Sequence, residues 1–349
     1  MTMRALRVIP GKADSAVLDE IDDPPASDGS VLVSTVAVGI CGTDFEIVEG
    51  LYGWAPAGRD KLVIGHEAVG RVIEAPDDSG FSAGDIVVPI VRRPDPVPCR
   101  YCAAGEWDMC VNGRYTERGI KELDGYASER FRIGPEFLVP VPAQLDRLAV
   151  LVEPTSVVAK AWDHIDRIGG RSRAWQPSRV LITGAGPIGL LAALLASQRG
   201  ADVHVLDRVS AGPKPELVKD LGGTYHCGDL SALREPPDVI IECTGAPTVL
   251  GDVIRRAGPS GIVCLTGVSV SGKRSPVDVG EANRRMVLQN DVVFGTVNAN
   301  RRHYAAAVEA LSKADPNWLA RLVTRRVPVA QWRDAFTRHP DDVKTVLEF

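Results

Sequence analysis

A glycine-rich turn set between an apolar strand and an apolar helix is the feature that most constrains how this chain folds. Val180-Leu-Ile-Thr183 has strand character, Gly184-Ala185-Gly186-Pro187-Ile188-Gly189 follows at once, and Leu190 to Ser197 reads as helix. Glycine lacks the Cβ that would keep a pyrophosphate at a distance, and a helix N-terminus adds amide donors and partial positive charge. Such a turn alone is a weak sign; its surroundings strengthen it. Val203 to Leu206 reads as a second strand, ended by Asp207 about twenty residues on, where an acid binds ribose hydroxyls. Gly184, Gly186, Pro187, Ile188 and Gly189 are therefore the expected cradle of a dinucleotide. Asp207 repels a 2′-phosphate and so favours NAD over NADP, and Arg208 beside it stacks on adenine or softens that preference.

The alternation continues through Pro237-Asp-Val-Ile-Ile241 and Gly261-Ile-Val-Cys-Leu265, which implies a parallel sheet flanked by helices. Upstream of Pro177 the chain reads as short strands and turns, with β-branched runs at Val31 to Val38, around Ala68 to Glu74 and at Asp85 to Pro89. Arg171 to Pro177 is the most linker-like stretch ahead of the alternating region. A length of 349 residues favours two domains, so the expected class is α/β: a β-rich domain joined to a doubly wound one. With 40 Lys plus Arg against 45 Asp plus Glu and no basic run, neither nucleic acid nor an anionic membrane is an expected partner. The N-terminus shows no apolar core of a signal peptide and no stretch is apolar enough to span a bilayer, so the expected location is the cytoplasm. Seven cysteines, an odd number scattered along the chain, then read as reduced thiols.

Cys41 opens Cys41-Gly-Thr-Asp44 after an apolar strand, and His66-Glu67 follow Gly65 at the start of another. Glu153 sits in Leu151-Val-Glu-Pro-Thr155, an apolar setting where an unpaired carboxylate is costly and a cation would explain it. A lone cysteine or histidine is usually a packing residue. Sulfur, imidazole and carboxylates together are zinc ligands, so Cys41, His66, Glu67 and Glu153 are the expected catalytic zinc set. Zinc lowers the pKa of bound water from about 15.7 to about 7, and a bound alcohol should be acidified similarly, which makes its carbon a hydride donor. Thr43 is placed to pass the hydroxyl proton outward, with Glu46 as the next acceptor.

The order of these segments resembles the zinc-dependent medium-chain dehydrogenase/reductase superfamily over almost the whole chain. Val88-Pro-Ile-Val-Arg-Arg93, Arg114-Tyr-Thr-Glu-Arg-Gly-Ile120 and Gly295-Thr-Val-Asn-Ala-Asn-Arg-Arg-His-Tyr304 further resemble glucose 1-dehydrogenases. The resemblance implies a GroES-like catalytic domain over residues 1–155 with 299–349, and a Rossmann domain over 156–298. It implies oxidation of an aldose, D-glucose first, at C1 to the lactone, with Zn2+ and NAD, NADP being the second carrier. Oxidation of another polyol or secondary alcohol is the nearest alternative; a zinc-free reductase or an inactive nucleotide-binding module is the other class. By the same resemblance, Glu117, Glu153 and Asn298 contact the sugar, Asn298 also faces the nicotinamide, and the assembly is a homodimer or homotetramer. Zinc-binding members carry a lobe of four cysteines, of which Cys99, Cys102 and Cys110 match the last three while Pro96 takes the first position. Asp95 would then supply an oxygen ligand to a second, structural zinc; otherwise the lobe is held by packing alone. Cys227, Cys243 and Cys264 lack partner spacing and read as packing residues.

Overall fold

The computed structural model describes residues 2–228, 231, 233–269 and 277–349. The chain forms two compact units, Met1–Ser156 with Asn298–Phe349, and Val157–Val297. These limits fall one residue from the expected ones at each end. The division lies inside a helix, Val152–Gly169, so the linker expected at 171–177 is instead part of the second unit. There the Trp175 ring occupies the space that a Cβ on Gly169 would need.

The first unit is organised around the strand Val31–Ile40. Its first half alternates buried and half-buried residues, and Val31, Val33 and Val38 pack with Ala68, Val72 and Phe131 in one core. From Val38 onward the strand is buried on both faces, because a second core containing Ile40, Ile47 and Leu62 covers its other side. It pairs antiparallel with Glu67–Glu74, with Arg130–Ile133 and with Lys344–Glu348, and Lys344–Glu348 pairs in parallel with Val323–Pro328. The register sets Gly39 opposite Glu67 and Ile40 opposite Thr345, which draws three strand ends together where Cys41 begins. A Cβ on Gly39 would overlap the Glu67 carboxylate and come 2.9 Å from Lys344 Cε, so the missing side chain makes room for both.

The second unit is a six-stranded sheet in the order Thr224–Cys227, Asp202–Asp207, Arg179–Thr183, Val239–Glu242, Ile262–Leu265, Val292–Gly295, every pair parallel. Numbered along the chain this order is 3-2-1-4-5-6, the doubly wound arrangement, with the glycine turn following the strand where the order reverses. Gly184 has φ +92°, a conformation side chains rarely adopt. The helix Pro187–Gln198 starts with proline in its first turn and is buried from Gly189 to Ala196. Its Gly189 lies so near the strand end that a Cβ would overlap the Gly184 carbonyl oxygen. No helix among the described residues is long and apolar enough to cross a membrane.

The Gly189 contact has a measurable consequence. Gly189→Ala is expected to destabilise the second unit by about 1–3 kcal/mol, as overpacking does, and to weaken coenzyme binding; thermal unfolding with and without NADH checks both.

Candidate active site

The helix Gly42–Val48 is capped by Cys41 in a reciprocal capping box with Asp44, whose Oδ2 accepts from the Cys41 N–H at 2.9 Å. This fixes the thiol at the end of the central strand. Its Sγ lies 3.1 Å from Nε2 of His66, and the other ring nitrogen, Nδ1, lies 3.4 Å from Asp44 Oδ1. Cys41, Asp44 and His66 are the residues whose ligand atoms gather here within 4.8 Å of one another. Burial pushes the Cys41 thiol upward, an effect that His66 only partly offsets. Burial would push the imidazole down, but Asp44 and Cys41 outweigh it and the His66 pKa stands well above its ordinary value. Burial also opposes the charge of Asp44, yet His66, the Cys41 amide and Lys344 hold its carboxyl below the usual range.

The two expected carboxylate ligands behave differently from the sulfur and the imidazole. Glu67 is turned onto Lys344 Nζ, a buried ammonium that also donates to the Ile40 carbonyl at 3.1 Å. A buried carboxylate needs a cation, and the chain supplies one from its last strand. Glu153, at the start of Val152–Gly169, is 8% exposed and pushed up to about 8 by burial and then by the repulsion of Glu67. Thr43 and Glu46 lie half-buried on the helix behind Cys41, outside the gathered trio. Asp44 and Lys344 were not identifiable as site residues from the sequence. Asp44 is signalled only by its capping position, and Lys344 by nothing local.

Glu117 lies on the short strand Thr116–Arg118, paired antiparallel with Arg92–Arg93. Its Oε1 accepts from Arg92 Nε at 3.1 Å and Nη2 at 2.9 Å and from Asn298 Nδ2 at 2.7 Å. Among the described residues Oε2 takes no bond. Asn298 has φ +61°, and its Oδ1 accepts from the Ala299 N–H at 2.8 Å. Its amide is thus engaged at both ends, which leaves one N–H for a ligand rather than the whole group. Arg92, buried with two N–H groups on the one Glu117 oxygen, is a further site residue that the sequence does not mark.

In the second unit Asp207 binds the glycine turn itself. Oδ2 accepts from the Ala185 N–H at 2.6 Å, while Oδ1 accepts from the amides of Arg208 at 2.6 Å and Val209 at 3.2 Å. Lys214 Nζ stands 3.9 Å from Oδ2, a neighbour not foreseen, and the Arg208 side chain is exposed. A Cβ on Gly186 would meet nothing within 4 Å, so the turn is open at the point where a phosphate would approach.

The cysteine lobe gathers Cys99, Cys102 and Cys110, with the first two sulfurs 3.7 Å apart. Two thiolates on one tetrahedral zinc are separated by about that distance, given a Zn–S length of about 2.3 Å. Backbone N–H groups of Cys102 and Val111 donate to Cys99 and hold its pKa down to about 6. Asp95 does not join the group, contrary to the expectation for a fourth ligand. Its carboxylate is drawn away by the Val97 N–H at 2.8 Å and by Arg114 Nε at 3.3 Å. None of the seven cysteines is in a disulfide.

The donor sets suit the groups the resemblance implies. Sulfur and imidazole nitrogen converge to 3.1 Å, somewhat nearer than the roughly 3.6 Å at which one tetrahedral zinc would hold them, beside a carboxylate, Glu153, that burial and then Glu67 push toward its neutral form. Comparison with known proteins agrees. Residues 27–143 match the alcohol dehydrogenase GroES-like domain, and residues 146–349 match the glucose dehydrogenase C-terminus. The chain is 40% identical to glucose 1-dehydrogenase 2 of Vulcanisaeta moutnovskia and 38% identical to glucose 1-dehydrogenase of Methanocella arvoryzae, over 99% of both chains in each case. Among solved structures, Haloferax mediterranei glucose dehydrogenase in complex with NADP, Zn and gluconolactone superposes with a TM-score of 0.92 at 34% identity, covering 99% of each chain. L-idonate 5-dehydrogenase of Escherichia coli, at 21% identity and a TM-score of 0.81, shares the fold. With a GroES-like region ahead of a doubly wound region, and with the matches spanning nearly its whole length, this chain belongs to the glucose 1-dehydrogenase family.

Proposed function

We propose that the protein is a zinc-dependent NAD(P) glucose 1-dehydrogenase. The observation that carries this is the convergence of Cys41 Sγ and His66 Nε2, backed by Asp44, in a chain with an open glycine cradle. Cys41, His66 and Glu153 would hold the metal, and Glu67 would exchange between it and Lys344. Zinc held there would acidify the C1 hydroxyl, so that hydride could pass from C1 to a bound nicotinamide and leave the lactone. Asp44 fixes which nitrogen of His66 faces inward, because it occupies the Nδ1 side of the ring. Glu117 Oε2 would accept from a sugar hydroxyl, and the spare N–H of Asn298 would donate to the sugar or the nicotinamide. A sugar needs such partners because its hydroxyls lose water on binding. Thr43 and then Glu46 would carry the released proton outward.

NAD is the proposed preferred carrier, supported by the acid at Asp207; Arg208 and Lys214 would temper its repulsion of a 2′-phosphate. The lobe is proposed as a weak second zinc site with three thiolates. A homodimer or homotetramer in the cytoplasm is proposed on the family resemblance.

A substrate panel on metal-replete enzyme tests the central reading. Reduced-nicotinamide absorbance with glucose, galactose, xylose and sorbitol, each with NAD and NADP, should show the highest kcat/KM for glucose with NAD. Activity confined to sorbitol would defeat it. Asp44→Asn keeps the cap but removes the charge behind His66, and should weaken zinc binding about 10–100-fold. Equilibrium dialysis against zinc reads this directly. Proton linkage gives a third expectation. Cys41, His66 and Glu153 all have raised pKa values, so all three favour their protonated forms at neutral pH, whereas zinc takes the deprotonated forms. Zinc affinity, measured by competition with a chromophoric chelator, should therefore rise steadily between about pH 6 and pH 9. A flat profile would contradict the ligand assignment.

A further inference from the structure

Near Glu117 lies a pair of aromatic side chains, Tyr52 and Trp54. Tyr52 is 41% exposed and Trp54 is 47% exposed, and their rings meet edge to face at 5.0 Å. Their segment is not a loose loop. The Trp54 N–H donates to the Ile120 carbonyl at 2.9 Å and its carbonyl accepts from Glu122 at 3.0 Å, so it runs alongside residues 120–122 like a short parallel strand. Gly53, at φ +98°, is pressed against Ile47. On its other side Lys121 exchanges both backbone hydrogen bonds with Glu117, at 2.9 Å each. Trp54 is thus held one strand spacing from Lys121, which is itself directly paired with Glu117. The Tyr52 hydroxyl is also close enough to Glu117 and Tyr115 for their charges to add to burial in raising its pKa.

A third ring, Tyr115, is already committed: Arg92 lies 3.8 Å and Lys121 Nζ 4.2 Å from its centroid. Tyr52 and Trp54 have no such partner among the described residues, yet their backbone is fixed. Two rigid, exposed rings next to a carboxylate with one unoccupied oxygen match the surface of a pyranose, which has a polar rim of hydroxyls and apolar C–H faces. Rings of this kind present large contact area at little entropic cost, with a polar tip.

We propose that Tyr52 and Trp54 form a stacking wall for the apolar face of a pyranose whose hydroxyl binds Oε2 of Glu117. The wall makes the closed ring the recognised form of the sugar, and an open-chain polyol has no face to offer it. This rests on the glucose reading above, so its test must separate the two.

Trp54→Ala, with Trp54→Phe as the variant that keeps a ring, is compared with wild type after thermal unfolding has shown all three folded. Trp54→Ala should raise KM for glucose about three- to tenfold with kcat within about twofold, and Trp54→Phe should recover most of the loss. The affinity for sorbitol, as substrate or competitive inhibitor, should not move. Glucose should also alter the tryptophan fluorescence of wild type, and this change should be lost in Trp54→Phe. Glucose oxidation with an unchanged KM in Trp54→Ala overturns the wall alone, as does an equal loss for glucose and sorbitol. Glucose that is bound by Trp54 fluorescence but never oxidised overturns the proposed function and leaves the wall standing. Neither oxidation nor a fluorescence change overturns both.

Discussion

A buried ammonium pressed against a buried carboxylate, Lys344 on Glu67, is the contact on which the first unit's site depends. Both groups are buried, Glu67 beside the carboxylate of Glu153 and Lys344 beside that of Asp44, and losing either partner would leave a buried ion short of its main compensation, which costs several kcal/mol. The pair therefore ties three strands to a single register. A shift of one residue between Val31–Ile40 and either neighbour would turn one partner toward the opposite face. Gly39 belongs to the same constraint, since it stands between the two side chains. What fixes the sheet also fixes the place where Cys41 and His66 meet.

The second unit relies on close backbone approach rather than on charge. Gly189 brings helix and strand end together, Gly186 leaves the turn open, and Asp207 reaches across from the neighbouring strand to the Ala185 amide. The acid that would face the ribose thus also braces the loop that would hold the pyrophosphate. Its two oxygens are already engaged by three amides and faced by Lys214, so its charge is more muted than that of an isolated aspartate.

Much of this was legible in the sequence because the chemistry is local. The glycine turn needs its glycines at fixed offsets, and strand alternation marks the parallel sheet without reference to anything distant. Glu153 could be singled out as a carboxylate in an apolar stretch, and Cys41 and His66 only in combination with it, as sulfur and imidazole that zinc takes. What stayed hidden is compensation across the chain. Lys344 reads as an ordinary lysine until the register places it on Glu67, and Arg92 reads as one of two adjacent arginines until Glu117 is found opposite. Asp44 was in view within Cys41-Gly-Thr-Asp44, but its position behind His66 follows only from the capping geometry. Asp95 misled for the opposite reason: adjacency in sequence to the lobe cysteines says nothing about which way a carboxylate turns once Val97 and Arg114 compete for it.

The central strand carries one more implication, for the order in which the molecule assembles. Ile40 and Lys344 are joined across 304 positions, and the contiguous second unit lies between them in the chain. During synthesis residues 157–297 can complete their sheet while the first unit still lacks the strand that supplies its ammonium. Pairing of such remote segments closes slowly, since loop entropy is lost before any contact repays it. Until the final strand docks, Ala37–Ile40 presents an open edge and Glu67 an unbalanced charge, so a nascent chain can hold a finished coenzyme fold before its metal pocket is complete.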